Sequence, residues 1–120
     1  MKETRTIILL SLVNFDKPIE EINEKLSHFK WETDDYLILE AGHLKSVLLR
    51  YISNQLAEKE VETWANTIES REDIEFSPKN EKQIKDVINK LANPFLEGPL
   101  TKKHAYEILR ELNNPMNLSN

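Results

Sequence analysis

Apolar residues recur along most of the chain with the spacing of helices that bury one side. Between positions 41 and 75, two such stripes follow each other at the 3.6-residue period of an α-helix. The first consists of Leu44, Val47, Leu48, Tyr51 and Ile52, and the second of Val61, Trp64, Ala65 and Ile68. A short polar break around Asn54 separates them. The pattern therefore predicts neighbouring antiparallel helices, one from about Ala41 and one over about residues 57–70.

Capping residues predict three further helices. Each start combines a good N-cap residue with a proline in the first turn, or follows a glycine-proline pair. The start signals are Asp16 with Pro18, Ser77 with Pro78, and Thr101 after Gly98 and Pro99. The apolar positions expected inside are Ile19, Ile22, Leu26 and Phe29; Ile84, Val87, Ile88 and Leu91; and Ala105, Ile108, Leu109 and Leu112. The first of these helices is expected to end near Lys30 and the second at Asn93.

Two other segments carry weaker patterns. Residues 4–13 contain β-branched positions that suit a strand, but no strand of comparable quality exists to pair with them, so a short helix is predicted. Residues 31–35 are expected to form a loop, and residues 36–39 an extended apolar segment. Together these elements predict an all-α fold: a compact bundle of five to six short helices with the antiparallel pair at its centre.

Length and composition indicate a single helical domain over residues 1–120. A chain of 120 residues can bury one sizeable core, and no linker divides it. Residues from about 114 to 120 are expected to be a disordered or loosely packed tail. The chain has no cysteine, which excludes disulfides and thiolate zinc sites and makes the cytoplasm the expected compartment. Residues 7–13 are apolar but far too short to span a membrane, so no membrane association is expected.

The negative charge is unevenly distributed. The net charge of −5 arises mainly from two segments. Residues 31–44 contain four acids and no base, and residues 58–75 contain seven acids against Lys59 and Arg71. The two acidic segments lie on either side of the helix that begins near Ala41.

A helical projection places Glu58, Glu62 and Glu69 together beside the buried stripe of the second central helix. Glu58 and Glu62 are a like-charge i, i+4 pair, which costs a lone helix a few tenths of a kcal/mol. One interpretation is a solvated side that tolerates this repulsion. The other is an electrostatic docking surface for a basic partner, extended by Glu72 and Asp73.

Asp34 and Asp35 form a possible second acidic patch in the predicted loop, and Tyr36 and Trp31 beside them are candidate anchors for a partner. The same two aspartates could instead provide half of a carboxylate site for catalysis or for magnesium. A solvated acidic loop is the more ordinary interpretation. For Trp31, packing in the core is the more ordinary interpretation, because aromatic residues at the ends of elements usually pack.

Signals for catalysis or for a cofactor are weak. His28, His43 and His104 lie on three different predicted elements, and none has a second histidine at i+3 or i+4, so each is interpreted as structural or surface. With two glycines in the chain, there is no glycine-rich phosphate loop, and no nucleophile elbow is present. No catalytic, cofactor-binding or metal-binding residue is predicted.

The run Val61-Glu62-Thr63-Trp64-Ala65-Asn66, followed by Arg71-Glu72-Asp73-Ile74, resembles a family of small all-helical bacterial proteins with the pattern EVEXWAN…REDI. Further similar parts are Phe29-Lys30-Trp31, Leu44 to Tyr51, Leu91-Ala92-Asn93-Pro94 and Gly98-Pro99-Leu100-Thr101. The chain departs from the pattern at Ala57, where a Ser or Thr cap is expected, and at Ser70, where a glycine is common. The family includes immunity proteins of contact-dependent growth inhibition systems. The resemblance implies a stoichiometric inhibitor rather than an enzyme, and it carries over no site residues.

The resulting expectation is a cytoplasmic immunity protein that binds the C-terminal domain of a cognate toxin, with a basic nuclease as the expected class. Its acidic surface would occupy the toxin's phosphate-handling surface, without direct contact to nucleic acid. The alternative is a small helical adaptor or regulator, which would bind a protein partner in an exposed apolar groove. A third hypothesis is a metal-dependent enzyme that uses Asp34, Asp35 and a histidine.

Overall fold

A computed structural model of the chain describes residues 4–29 and 36–113. Within these ranges the chain forms six α-helices of eight or more residues, a four-residue helix, a 3₁₀ helix and two short strands. In chain order they are α1 (Arg5–Asn14), α2 (Ile19–Leu26), β1 (Leu37–Leu39), α3 (Ala41–Ile52), α4 (Glu58–Glu69), β2 (Ile74–Phe76), the 3₁₀ helix (Pro78–Asn80), α5 (Glu81–Ala92), α6 (Pro94–Glu97) and α7 (Lys102–Asn113). The all-α prediction is confirmed.

The core is one continuous apolar cluster to which all six longer helices and both strands contribute. Trp64 of α4 is fully buried and stacks on Phe15, with the ring centroids 5.9 Å apart. Its indole N–H donates to the Leu12 carbonyl oxygen at 2.7 Å, which ties α4 to α1. The inward stripe predicted for α4, including Val61 and Ile68, is buried.

Helices α3 and α4 are in contact, and each also packs extensively against a helix from the C-terminal part of the chain. The most extensive helix contacts join α4 with α5 and α3 with α7. The end of α4, at Ile68 and Glu69, lines a groove with Lys85 of α5, whereas Glu58 at the start of α4 lies near Leu91 and Pro94, at and beyond the end of α5. Helices α4 and α5 therefore run antiparallel, and the α3–α4 pair is covered by α5 and α7.

The strands β1 and β2 pair in parallel, with Leu37 opposite Ile74 and Leu39 opposite Phe76. The prediction of an extended segment over residues 36–39 is correct, whereas β2 was not predicted. A three-residue strand offers too short a pattern to identify from sequence, and its pairing depends on tertiary contacts. Phe76 packs against the core.

Several predicted boundaries can be compared with the described helices. Residues 5–14 are helical, so the prediction for the N-terminal segment is confirmed. Helix α2 is shorter than predicted: it begins after Pro18, ends at Leu26 and continues as a turn. As a result Phe29, predicted to be inside, lies in that turn and is 36% exposed. Thr101 caps α7 as expected, since its Oγ1 accepts the His104 N–H at 3.1 Å. Trp31, Asp34, Asp35 and the tail from residue 114 lie outside the described residues.

The start of α3 depends on a neutral histidine. The Nδ1 atom of His43 accepts the Glu40 backbone N–H at 2.9 Å, so this nitrogen must be unprotonated. Burial lowers the pKa of His43 from its usual 6.5, although the nearby Glu40 carboxylate acts in the opposite direction. The folded protein therefore disfavours the imidazolium, and the unfolded chain binds this proton first as the pH falls.

This linkage predicts that stability is lost below about pH 6.5 as the pH falls toward the lowered pKa of His43. The loss attributable to His43 is expected to be up to about 1 kcal/mol, the usual contribution of a helix cap. Urea unfolding of the wild type and of His43→Gln at pH values from about 7.5 to 5 would measure it, since glutamine keeps an acceptor at this position without titrating. Parallel pH profiles of the two proteins would contradict the prediction.

Candidate functional site: a carboxylate flank and an exposed apolar turn

Glu58, Glu62 and Glu69, here called the acidic flank, lie along the side of α4 that faces α5 and the segment after it. Glu58 Oε2 accepts the Leu100 backbone N–H at 3.1 Å, and Glu69 Oε2 accepts the Asn89 side-chain amide at 3.3 Å. Glu62 lies 3.6 Å from Lys59 Nζ, and its side chain is only 21% exposed. Each of the three carboxylates therefore also has a partner within the molecule.

These partners differ in what they do to the charge. Glu58 and Glu69 hydrogen-bond to uncharged N–H groups, and these bonds leave the carboxylates negative. The charge of Glu62 is offset in part by the ammonium group of Lys59, which is itself highly exposed, and such surface pairs contribute little to stability. Of the acidic flank, Glu58 and Glu69 thus offer the clearest negative charge to solvent.

Glu69 occupies a helix position at which an acidic residue is unfavourable. It is the last residue of α4, and the last turn of this helix contains no basic residue. The C-terminal end of a helix carries partial negative charge, so an exposed carboxylate there is unfavourable by about 0.3–1 kcal/mol. Helix formation by α4 gives no reason for a carboxylate at this position.

Asp73 does not belong to a docking surface, and its predicted role there is wrong. The residue is 6% exposed, and its carboxylate binds the Arg5 guanidinium of α1. Arg71 adds a two-pronged contact, with Nε 2.7 Å from Oδ1 and Nη2 2.8 Å from Oδ2. Burial alone would raise the pKa of Asp73, but the bonds and charges of Arg71 and Arg5 outweigh it and lower the pKa. Asp73 is a structural ion-pair residue that holds α1 to the start of β2.

Of the remaining predicted contact residues, two are exposed and two lie outside the described residues. Glu72 is exposed in the bend between α4 and β2, three residues beyond Glu69. Tyr36 is exposed just before β1, so it is accessible to a partner. Asp34 and Asp35 fall in the part of the chain that the structure does not describe.

Sequence reasoning missed the most exposed apolar residues of the described chain. Phe95 is 100% exposed and Leu96 is 81% exposed, and both lie on the four-residue helix α6. The sequence did carry a signal: two apolar residues sit between an Asn-Pro pair and a Gly-Pro pair, too short a stretch to form a buried helix. A short turn between two such pairs exposes its side chains to solvent.

The segment that follows α6 is fixed to the α3–α4 pair through Leu100. The Leu100 N–H donates to Glu58, and its carbonyl oxygen accepts the Tyr51 hydroxyl at 3.0 Å. Burial raises the pKa of Tyr51, and the negative charge of Glu58 raises it further. Glu58 therefore belongs both to the acidic flank and to the support of the α6 turn.

A second surface feature is a groove of about 370 Å³ between α4, β2 and α5. Its apolar lining comes from Ile68, Ile74, Phe76 and Ile88, and its charged lining from Glu69, Arg71 and Lys85. Because three of the four apolar residues are almost fully buried, the groove exposes little apolar surface.

Within residues 4–29 and 36–113, no group of three or more His, Cys, Asp or Glu side chains is arranged to hold a metal ion. None of the helices in these ranges is both long and apolar enough to cross a membrane. Comparisons of the chain with protein-family models, with curated proteins and with solved structures gave no match. The resemblance to immunity proteins therefore stays a prediction.

Proposed function

We propose that this chain is a stoichiometric protein inhibitor, the immunity partner of a bacterial toxin domain, which it neutralises in the cytoplasm by binding. Glu58, Glu69 and Glu72 form the charged part of the contact surface. The observation that carries the proposal is the exposed carboxylate of Glu69 at the C-terminal end of α4, where it opposes the helix dipole. The hydrogen bond from the Asn89 amide leaves this carboxylate charged, and binding of a basic partner gives the charge a role that helix formation does not.

The mechanism follows from the chemistry of the expected target. A nuclease domain presents basic residues to the phosphate backbone. Carboxylates on a rigid helix compete for those basic residues, and a bound protein excludes the nucleic acid from the surface it covers. Complementary charge mainly raises the association rate and fixes the orientation of the complex.

The proposal expects the neighbouring upstream gene to encode the toxin, and the direct test uses the C-terminal domain of that gene product. We expect a 1:1 complex of the two purified proteins, and growth protection when both are expressed in a sensitive bacterial host. Glu69→Lys combined with Glu72→Lys is expected to slow association several-fold at low salt. Circular dichroism should show unchanged helix content, because a lysine at the end of α4 agrees with the helix dipole.

The matched control is Glu107→Lys with Glu111→Lys on the exposed side of α7, which changes the net charge by the same amount. This variant is expected to associate at close to the wild-type rate. Absence of a complex with the upstream-encoded domain, or growth arrest despite the wild-type chain, would contradict the proposal. Equal slowing by both charge-reversed variants would remove the Glu69–Glu72 surface from it.

The second candidate is an adaptor that binds a segment of a partner protein in the groove lined by Ile68, Ile74, Phe76 and Ile88, although this groove exposes little apolar surface. The charged residues Glu69, Arg71 and Lys85 around it make it a less typical apolar groove. In the same experiment, a complex that gives no growth protection and whose association is insensitive to reversal of Glu69 and Glu72 would favour this candidate over the inhibitor.

A further inference from the structure

Two large apolar side chains project into solvent from the α6 turn, Pro94–Glu97. Phe95 is fully exposed and Leu96 nearly so. Single exposed apolar residues are ordinary on protein surfaces, but an adjacent pair with this exposure needs a reason. A fully exposed phenylalanine contributes no packing contacts to the fold, and it adds to the risk of aggregation.

The turn is held rigidly by its backbone. Asn93 O accepts the N–H groups of Leu96 at 3.0 Å and Glu97 at 2.9 Å, and Pro94 O accepts the Gly98 N–H at 2.9 Å. Proline at the first position fixes the start of the turn, and Gly98 ends it with a positive φ of 92° that other residues rarely adopt.

Side chains and the following segment add to this support. The Asn93 amide donates to the Asn89 carbonyl oxygen of α5 at 2.8 Å. Leu100, two residues after Gly98, forms two hydrogen bonds: its N–H donates to Glu58, and its carbonyl oxygen accepts from the Tyr51 hydroxyl. The exposure of Phe95 and Leu96 is therefore built into the fold, and they are presented in one preformed arrangement.

The α6 turn adjoins the acidic flank. Pro94 and Gly98 line one small depression together with Glu58 and Glu62 of α4, and Lys90 and His104 complete it. Glu97 adds an exposed carboxylate within the turn itself. On α7, His104 faces this depression. Lys102, two residues earlier, therefore projects to nearly the opposite side of the helix, away from the depression. An apolar anchor thus lies directly next to the carboxylates, with Glu58 common to both.

We propose that the α6 turn is the apolar anchor of the interface: Phe95, with Leu96 beside it, enters an apolar pocket on the partner that adjoins the partner's basic surface. This inference rests on the proposed function, because it assigns the anchor to the same basic protein that meets Glu58 and Glu69. Interfaces concentrate their affinity in a few desolvated aromatic and apolar residues, and charged residues around them contribute mainly to the encounter. The two groups of residues therefore affect different rate constants.

The test is a kinetic comparison of Phe95→Ser with Leu96→Ser against the wild type, using the upstream-encoded C-terminal domain as the probe. We expect the dissociation rate to rise at least about 10-fold, with the association rate changed by no more than about threefold. Because both side chains are exposed, the variant should keep the wild-type melting temperature. The matched control is Leu49→Ser on α3, a leucine that is 54% exposed and distant in sequence from the turn; it should dissociate at the wild-type rate.

The outcomes separate the anchor from the proposed function. If the wild-type chain forms no complex with the probe, the proposed function fails and the anchor fails with it. If the wild type binds and the Phe95→Ser, Leu96→Ser variant dissociates at the wild-type rate, the anchor alone is refuted. Analytical ultracentrifugation without the probe tests whether a second copy of this chain binds the turn instead. A wild-type dimer that the same variant converts to a monomer would assign the turn to self-association and overturn the proposal.

Discussion

Replacing Asp73 with alanine is expected to lower the free energy of unfolding by about 3–5 kcal/mol, the usual effect of removing one partner from a buried ion pair. The Asp73 carboxylate and the Arg5 guanidinium are both almost fully buried, and Arg71 is mostly covered. Without the carboxylate, the Arg5 charge would stay in the interior without its aspartate partner. Urea unfolding at neutral pH would measure the loss.

The pH dependence of this effect has a definite sign. Since the pKa of Asp73 is lowered in the folded protein from 3.8, its stabilising contribution is complete above that value and is lost as the pH falls through the lowered pKa. The wild type should therefore lose this contribution only in acid, whereas Asp73→Ala lacks it at every pH. The control is Glu72→Ala, the exposed neighbouring carboxylate, which should change stability by less than about 0.5 kcal/mol. A similar small effect at Asp73 would contradict the buried ion-pair assignment.

Trp64→Ala is expected to destabilise the protein by a similar amount, about 3–5 kcal/mol. The substitution removes a fully buried indole, its stacking on Phe15 and the hydrogen bond to Leu12, and it leaves a cavity where α4 meets α1. Trp64→Phe should cost less, because an aromatic ring remains to stack and the Leu12 carbonyl still accepts the Phe15 N–H. The same urea measurement would test both variants.

Leu49→Ala on the exposed surface of α3 serves as the control and should shift the free energy of unfolding by less than about 0.5 kcal/mol. The order expected is Trp64→Ala, then Trp64→Phe, then Leu49→Ala, from most to least destabilising. If Trp64→Ala unfolded at the wild-type urea midpoint, α4 would not be anchored on α1 in the way described.

The fold was predictable where a helix buries a regular stripe. Helix α4 has four apolar residues at helical spacing, and its predicted span differs from the observed one by a single residue at each end. The prediction was wrong where context decides. Helix α2 ends four residues before the expected Lys30, and Phe29 beyond its end stays partly exposed instead of joining the core. The three-residue β2 exists through its pairing with β1, a contact that no local pattern encodes.

The candidate site was predictable in part, and the limits are physical. A helical projection can place Glu58, Glu62 and Glu69 on one side of α4, but it cannot identify Leu100, Lys59 and Asn89 as their partners. Asp73 looks like its neighbour Glu72 in sequence, and only the tertiary position of Arg5, 68 residues away, distinguishes a buried ion pair from a surface charge. Phe95 is likewise exposed because no element of the described structure covers it. The sequence Phe95-Leu96 alone does not reveal this.

The central claim is that the exposed carboxylates of Glu69 and Glu72 steer a basic partner onto this chain. The most direct test is the association rate constant with the upstream-encoded domain, measured by stopped flow from about 20 to about 300 mM salt. The wild-type rate should fall steeply as salt rises, and the Glu69→Lys, Glu72→Lys variant should begin lower and fall less. Wild-type and variant rates that coincide at every salt concentration would contradict the claim.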